Sequence, residues 1–274
     1  MSAQGAVDRT LPALRAIIRA IGLAGLGALA IVVGLAGVIA PQPADRIGLG
    51  PSLAAPSQAF PFGTDLLGRD MFSETLHALA VTFGDSAIGM LVALVLGGIF
   101  GFAAARLPWR IGDGLRFVAG LFAAVPALLL AILFVGLAGR IFAPLAAGLA
   151  AAPFAFTRAF DRARTLGASR YSEYARASGI RTATLLRRDL AYEVRGNFLS
   201  TATRALAAVA IALETLSFLG FGAVPPARDL GLLIASARAS YLDAWWTAAF
   251  PALALVLLVL CARLAAGLDE GERP

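Results

Sequence analysis

Few residues in this chain could do chemistry, and their types limit what that chemistry is. There is one histidine, His77, and one cysteine, Cys261, so neither a His-rich metal site nor an intrachain disulfide can form within it. No G-x-x-x-x-G-K-[ST] phosphate loop occurs in the sequence, and that kind of ATP site is therefore absent. Three ionisable residues interrupt apolar runs, namely Asp85, Arg204 and Glu214. Each costs about 3 kcal/mol in lipid and is for that reason a functional candidate. Arg204 and Glu214 are ten residues apart, about 15 Å along one helix, so they cannot pair with each other. The remaining candidates sit in the basic, polar segment 157–195. Within Glu173-Tyr174-Ala175-Arg176-Ala177-Ser178-Gly179, Ala175 and Gly179 share one helical face, and their small side chains let another surface approach closely. A helix, a glycine break and a second basic helix suit docking on another protein; a solvated loop between two spans is the competing reading. The chemistry on offer is docking and charge handling, not bond making.

The elements that carry these residues belong in a bilayer. The 274 residues are 59% hydrophobic and 15% charged, with a mean hydropathy of +0.81, which excludes an ordinary soluble domain. The net charge of +6 comes from 23 arginines and no lysine. Their clustering in short loops beside apolar runs marks topogenic charge and argues against nucleic-acid binding. Apolar runs predict an all-α polytopic fold with six spans, at about 20–40, 80–105, 115–139, 141–157, 195–214 and 244–263. The first is longer than the roughly 7–15 apolar residues of a signal peptide. Residues 41–62 are rich in Pro, Gly, Ala and Ser and predict an extended connection, followed by a short amphipathic piece over 71–80. Pro126, Pro144 and Pro153 predict kinks or breaks, and Gly97, Gly98 and Gly101 suit close helix packing.

Six spans place both termini and the basic segment, which follows the fourth, on one side. Seventeen of the 23 arginines fall on that side, five on the other, and Arg204 is left inside a span. The positive-inside rule makes the arginine-rich side cytoplasmic. The expected organisation is a cytoplasmic N-terminus (1–19), a transmembrane domain (20–269) with a cytoplasmic loop over 158–194, and a short cytoplasmic tail (270–274).

Three motifs carry a family resemblance. Glu173 to Gly179 resembles the E-A-A-x-x-x-G coupling loop of ABC importer membrane subunits; Asp189-Leu190-Ala191-Tyr192 stands where that family's I-x-L-P should end. Gly63-Thr64-Asp65-Leu66-Leu67-Gly68-Arg69-Asp70 is similar to the G-T-D-x-L-G-R-D stretch before the second span of dipeptide, oligopeptide and nickel permeases. Glu214-Thr215-Leu216-Ser217-Phe218-Leu219-Gly220-Phe221-Gly222 and then Pro225-Pro226 resemble the E-x-x-L-S-F-L-G-x-G-x-x-P-P signature of the same group. Asp229-Leu230-Gly231 occupies the place of a usual Trp-Gly pair.

The resemblance implies a type I ABC importer permease of six helices, the second permease subunit of such a system, in a prokaryotic inner membrane. It implies pairing with a homologous permease, two ATPase subunits below and an extracytoplasmic binding protein above. ATP and Mg²⁺ would be held by those ATPases, with no cofactor or metal in this chain and no enzymatic activity of its own. Glu173, Ala175, Arg176 and Gly179 would couple to the ATPases. Gly63, Thr64, Asp65, Gly68, Arg69, Asp70, Glu214, Ser217, Phe218, Gly220, Gly222, Pro225 and Pro226 would form the family-motif and gate region. Asp85 and Arg204 are candidates for the pathway, with pairing to the other permease or snorkelling as the alternative. Peptide is the expected substrate class, nickel or another small solute the alternative. A stand-alone secondary transporter would explain the spans but not the basic segment, and a membrane enzyme needs a cluster of catalytic residues that the sequence lacks.

Overall fold

The computed structural model describes residues 3–43, 46–167, 174, 178, 184, 188, 198–223 and 227–267. Helix α1 (Ala3–Gly34) and the one-turn α2 (Ala36–Ile39) lead into an irregular loop. Helix α3 (Met71–Ala104) contains a π-helical stretch, Ala93–Ile99. Then come α4 (Trp109–Ala124), α5 (Ala127–Ala138), a 3-10 turn (Arg140–Phe142) and α6 (Ala143–Gly167). After residue 198 follow α7 (Phe198–Phe218), the short α8 (Leu230–Ser236) and α9 (Trp246–Ala266). Among the described residues five helical stretches are long and apolar enough to cross a membrane, and six if α4 and α5 count as one bent span. The fold is all-α.

The helix boundaries follow local chemistry. Asp70 starts α3 by accepting from the backbone N–H of Phe72 and Ser73, which satisfies two otherwise orphaned donors. Nothing between Met71 and Ala80 breaks the chain, so the expected separate amphipathic piece is the first part of α3 itself. Of the three prolines expected to disturb helices, only Pro126 does. It forces Val125 into extended backbone (ψ 132°), and α4 and α5 meet at 91°. Pro144 is the second residue of α6, where its missing N–H would have had no helical partner. Pro153 lies inside α6 without interrupting it. That helix also continues ten residues past Thr157, into the segment expected to be loop.

Packing relies on small residues, as it must where lipid removes the hydrophobic drive between helices. Ala143, Ala146, Ala147 and Ala150 of α6 lie against Leu130, Ala131 and Val135 of α5 and Val209, Leu213 and Leu216 of α7. A second core joins Ala78 and Leu79 of α3 to Ala210, Leu230, Leu233 and Leu258. Gly97 and Gly101 of α3 meet the α6 backbone directly: a Cβ on Gly97 would lie 2.4 Å from the Ala152 carbonyl oxygen, and one on Gly101 2.4 Å from that of Phe156. Gly98, grouped with them from sequence, has nothing within 4 Å, because one residue's rotation along α3 turns it away from the α6 backbone. Large side chains such as Phe117, Leu133, Leu137 and Val256 face outward.

Candidate functional site

The residues before α3 form a small built platform at one end of the bundle, here the loop end. Thr64 is fully buried; its hydroxyl donates to the Pro51 carbonyl (2.6 Å) and accepts from the Ala54 N–H (2.8 Å). Asp65 accepts from the N–H groups of Leu67 and Arg69, both at 2.8 Å. Gly63 and Gly68 take positive φ (72° and 68°), which a side chain would strain. Gly63 also lies under Trp246, whose indole N–H donates to the Thr64 carbonyl at 3.1 Å. This turn chemistry delivers Asp70 to the start of α3 and aims Arg69 inward.

Arg69 reaches one oxygen of Glu74 (Nη1 to Oε1, 3.2 Å), and Arg228, just before α8, reaches the other (Nη1 to Oε2, 3.2 Å). Glu74 is 2% exposed. Sequence reasoning missed it; the available signal was an acid in the first turn of α3, five residues after a motif arginine. One carboxylate thus ties the first motif to the chain that follows the second. In such a set the buried charges depend on each other, and removing the Glu74 charge costs about 3–5 kcal/mol.

The second motif ends α7 and holds α8. Gly220 (φ 87°) follows the last turn: its N–H donates to Ser217 O and that of Phe221 to Leu216 O, the paired bonds of a Schellman end. Phe218 lies under Arg238, 4.0 Å from its guanidinium carbon, and its carbonyl accepts from Arg238 Nη2 at 3.0 Å. The Ser217 hydroxyl donates to Asp229 and accepts from the Ala223 N–H (3.1 Å). Asp229, where the family's Trp-Gly pair would begin, caps α8 by accepting from the Leu232 N–H at 2.8 Å. Glu214 accepts from the N–H of Gly231, and Thr82 of α3 accepts from that of Leu230 (3.1 Å). A Cβ on Gly222 would strike Ser217, and one on Gly231 would lie 2.3 Å from the Glu214 carbonyl oxygen. Asp85 lies three residues beyond Thr82, half-buried and in the electrostatic field of Asp229 and Glu214. Arg204 is half-buried, ten residues before Glu214 on α7. Pro225 and Pro226 lie outside the described residues, as do Glu173, Ala175, Arg176 and Gly179.

At the opposite, arginine-rich end, two reciprocal ion pairs join α4 to α6. Arg116 holds Asp161 through Nε (2.6 Å) and Nη2 (3.0 Å), and Arg164 Nη2 holds Asp113 at 3.0 Å. Gly112 lets Arg164 lie close, since a Cβ there would be 2.9 Å from Nη2. Among the described residues no three His, Cys, Asp or Glu gather as a metal site.

A multi-pass helical chain whose polar residues hold helices together at the two ends is a membrane transport subunit in form. Residues 93–268 match the family described as "Binding-protein-dependent transport system inner membrane component", and the chain belongs to that family. It is 30% identical to the peptide transport system permease protein SapC of Escherichia coli O6:H1 over 92% of this chain and 87% of that protein. It is 29% identical to the di/tripeptide transport system permease protein DppC of Pseudomonas aeruginosa over 75% of this chain and 68% of that one. A Brucella suis protein provisionally named a peptide transport system permease is 31% identical over 74% of this chain and 69% of its own length. Proteins of this family work in ABC import systems with a homologous permease, ATPases and a substrate-binding protein. The chain is a permease subunit of such a system.

Proposed function

We propose that the chain is the second permease subunit of an ABC importer of the dipeptide, oligopeptide and nickel group, forming half of a peptide pathway with six spans. The observation that carries this reading is the carboxylate of Glu74, shared between Arg69 and Arg228. The two motifs typical of that group are thereby built into one structure at the loop end, and the relatives' names carry the peptide class. The bent pair of α4 and α5 supplies the remaining span. The arginine-rich end, with both termini, faces the cytoplasm, so the loop end faces the binding protein.

In this reading the partner ATPases close on ATP and push the 173–179 segment, with Glu173 orienting it, Ala175 and Gly179 allowing close docking and Arg176 fixing the contact. Helix α6 is unbroken to Gly167, so it carries that push into the membrane as a rod. The two permeases then rock between inward and outward openings, provided ATP makes better contacts in one state than in the other. Glu214, Ser217 and their partners hold α8 as part of the outer gate.

The test is ATPase activity and peptide uptake by the co-purified complex, with and without Gly179→Arg, in membranes containing the candidate binding protein. Loss of stimulated hydrolysis in an assembled variant supports the reading. Unchanged activity, or a chain that purifies with no ATPase, favours a stand-alone transporter. Uptake of nickel without peptide uptake would select the other substrate class.

A further inference from the structure

Among the described residues, the arginine-rich end holds more positive charge than its own acids use. Between residues 102 and 167 there are seven arginines, all but Arg140 at this end, and two aspartates, and both aspartates are engaged by Arg116 and Arg164. Arg110 and Arg158 are exposed, and each lies over an exposed aromatic ring. The guanidinium carbon of Arg110 is 5.3 Å from the Trp109 ring centre, and that of Arg158 5.0 Å from the Phe154 ring centre. The rings have apolar company, for Ile111 and Leu115 are exposed on α4 as well.

We propose that Arg110 and Arg158, each seated on its ring, bind the phosphate headgroups of anionic phospholipids. An exposed ring bearing a guanidinium has one apolar and one cationic face. A leaflet presents the matching order over a few ångströms, acyl chains and then phosphates, whereas a protein surface would have to alternate in the same way by design. Arginine suits the task because its planar fork binds phosphate oxygens while its other face stays on the ring. The two residues stand on different helices, α4 and α6, which the reciprocal ion pairs hold in register. A bound headgroup layer would therefore contact both sides of that junction. The proposal needs only that these helices span a membrane, so it stands apart from the substrate and coupling readings.

The test is native mass spectrometry of the full chain, with any subunits that co-purify, after exchange into mixed micelles. The probes are phosphatidylglycerol and phosphatidylcholine with identical acyl chains. Wild type should retain phosphatidylglycerol preferentially, and Arg110→Gln/Arg158→Gln should lose roughly 25-fold of that preference, about fivefold per arginine. Arg110→Lys/Arg158→Lys keeps the charge and should keep most of the preference, which separates headgroup binding from a folding defect. Arg140→Gln, at the other end, should change nothing. Equal retention of both lipids by wild type overturns the proposal, as does an unchanged preference in the glutamine pair. Loss of a co-purifying ATPase with the lipid preference intact would assign the surface to a protein contact and overturn it too.

Discussion

Glu74 and Arg228 stand 154 positions apart in the chain and meet at 3.2 Å at the loop end of the bundle. Arg69 occupies the other oxygen of the same carboxylate at 3.2 Å. Such an arrangement joins elements more than it adds stability, since a buried ion set barely repays the desolvation of its charges. What it does is couple the entry of α3 to the segment that carries α8. If the loop end opens during transport, these parts move together or the carboxylate loses a partner.

Glu74→Gln keeps the shape and removes the charge. It should destabilise the chain by about 3 kcal/mol, because Arg69 would stay buried without its acid. Arg228→Gln should cost less, since the Arg228 side chain is 26% exposed and water can take its place. Thermal unfolding in detergent micelles checks both, and equal effects would mean that Arg69 is not the dependent partner.

Ser217→Ala removes the hydroxyl that links the end of α7 to Asp229 and to the Ala223 N–H. The Asp229 carboxylate, 1% exposed, keeps its bond to the Leu232 N–H but loses a donor. A cost of about 1–3 kcal/mol is expected, falling locally. Hydrogen exchange should accelerate over 227–240 and remain unchanged in α6; uniform acceleration would rule out a local latch.

The helical, membrane-spanning character of this chain is legible in its apolar runs, and the turn at Gly63 and Gly68 in its motif. The partnerships are not. Apart from the motif arginine five residues before it, Glu74 has no local feature that distinguishes it from any first-turn acid, because its second cation comes from the far side of the sequence. Thr82 likewise meets Leu230 across 148 positions. Pro126 and Pro153 look alike in sequence, yet only the first breaks a helix. The difference lies in tertiary support: the α6 rod around Pro153 is held by α3 along Gly97 and Gly101, whereas Val125 and Pro126 sit at an exposed corner.

Neighbouring glycines on α3 should behave differently. Gly97→Ala puts a methyl 2.4 Å from the Ala152 carbonyl and 2.5 Å from the Ala155 Cβ, so α6 must move, at a cost of about 1–3 kcal/mol. Gly98→Ala meets nothing within 4 Å and replaces a poor helix former, so it should be neutral or stabilising by up to about 1 kcal/mol. Unfolding midpoints of the two purified variants decide it; a reversed order would mean that α3 is rotated about its axis.

At the arginine-rich end the pairs Arg116–Asp161 and Arg164–Asp113 run antiparallel, so they fix the sliding register of α4 against α6 and not merely their proximity. Both pairs are about half exposed, which limits each to about 0.2–1 kcal/mol; their effect should appear in alignment before it appears in stability. Arg116→Asp sets two acids against each other, Asp161→Arg sets two cations together, and the double swap restores an attractive pair of reversed sense. Each single variant should lower the unfolding midpoint slightly, with the loss shrinking as salt screens the repulsion, and the double variant should recover. Spin-label distances across α4 and α6 give the sharper readout: they should broaden in the singles and narrow again in the double. If the double variant stays broad, the bidentate fork of Arg116 matters more than charge, and Arg116→Lys should then be as harmful as either reversal.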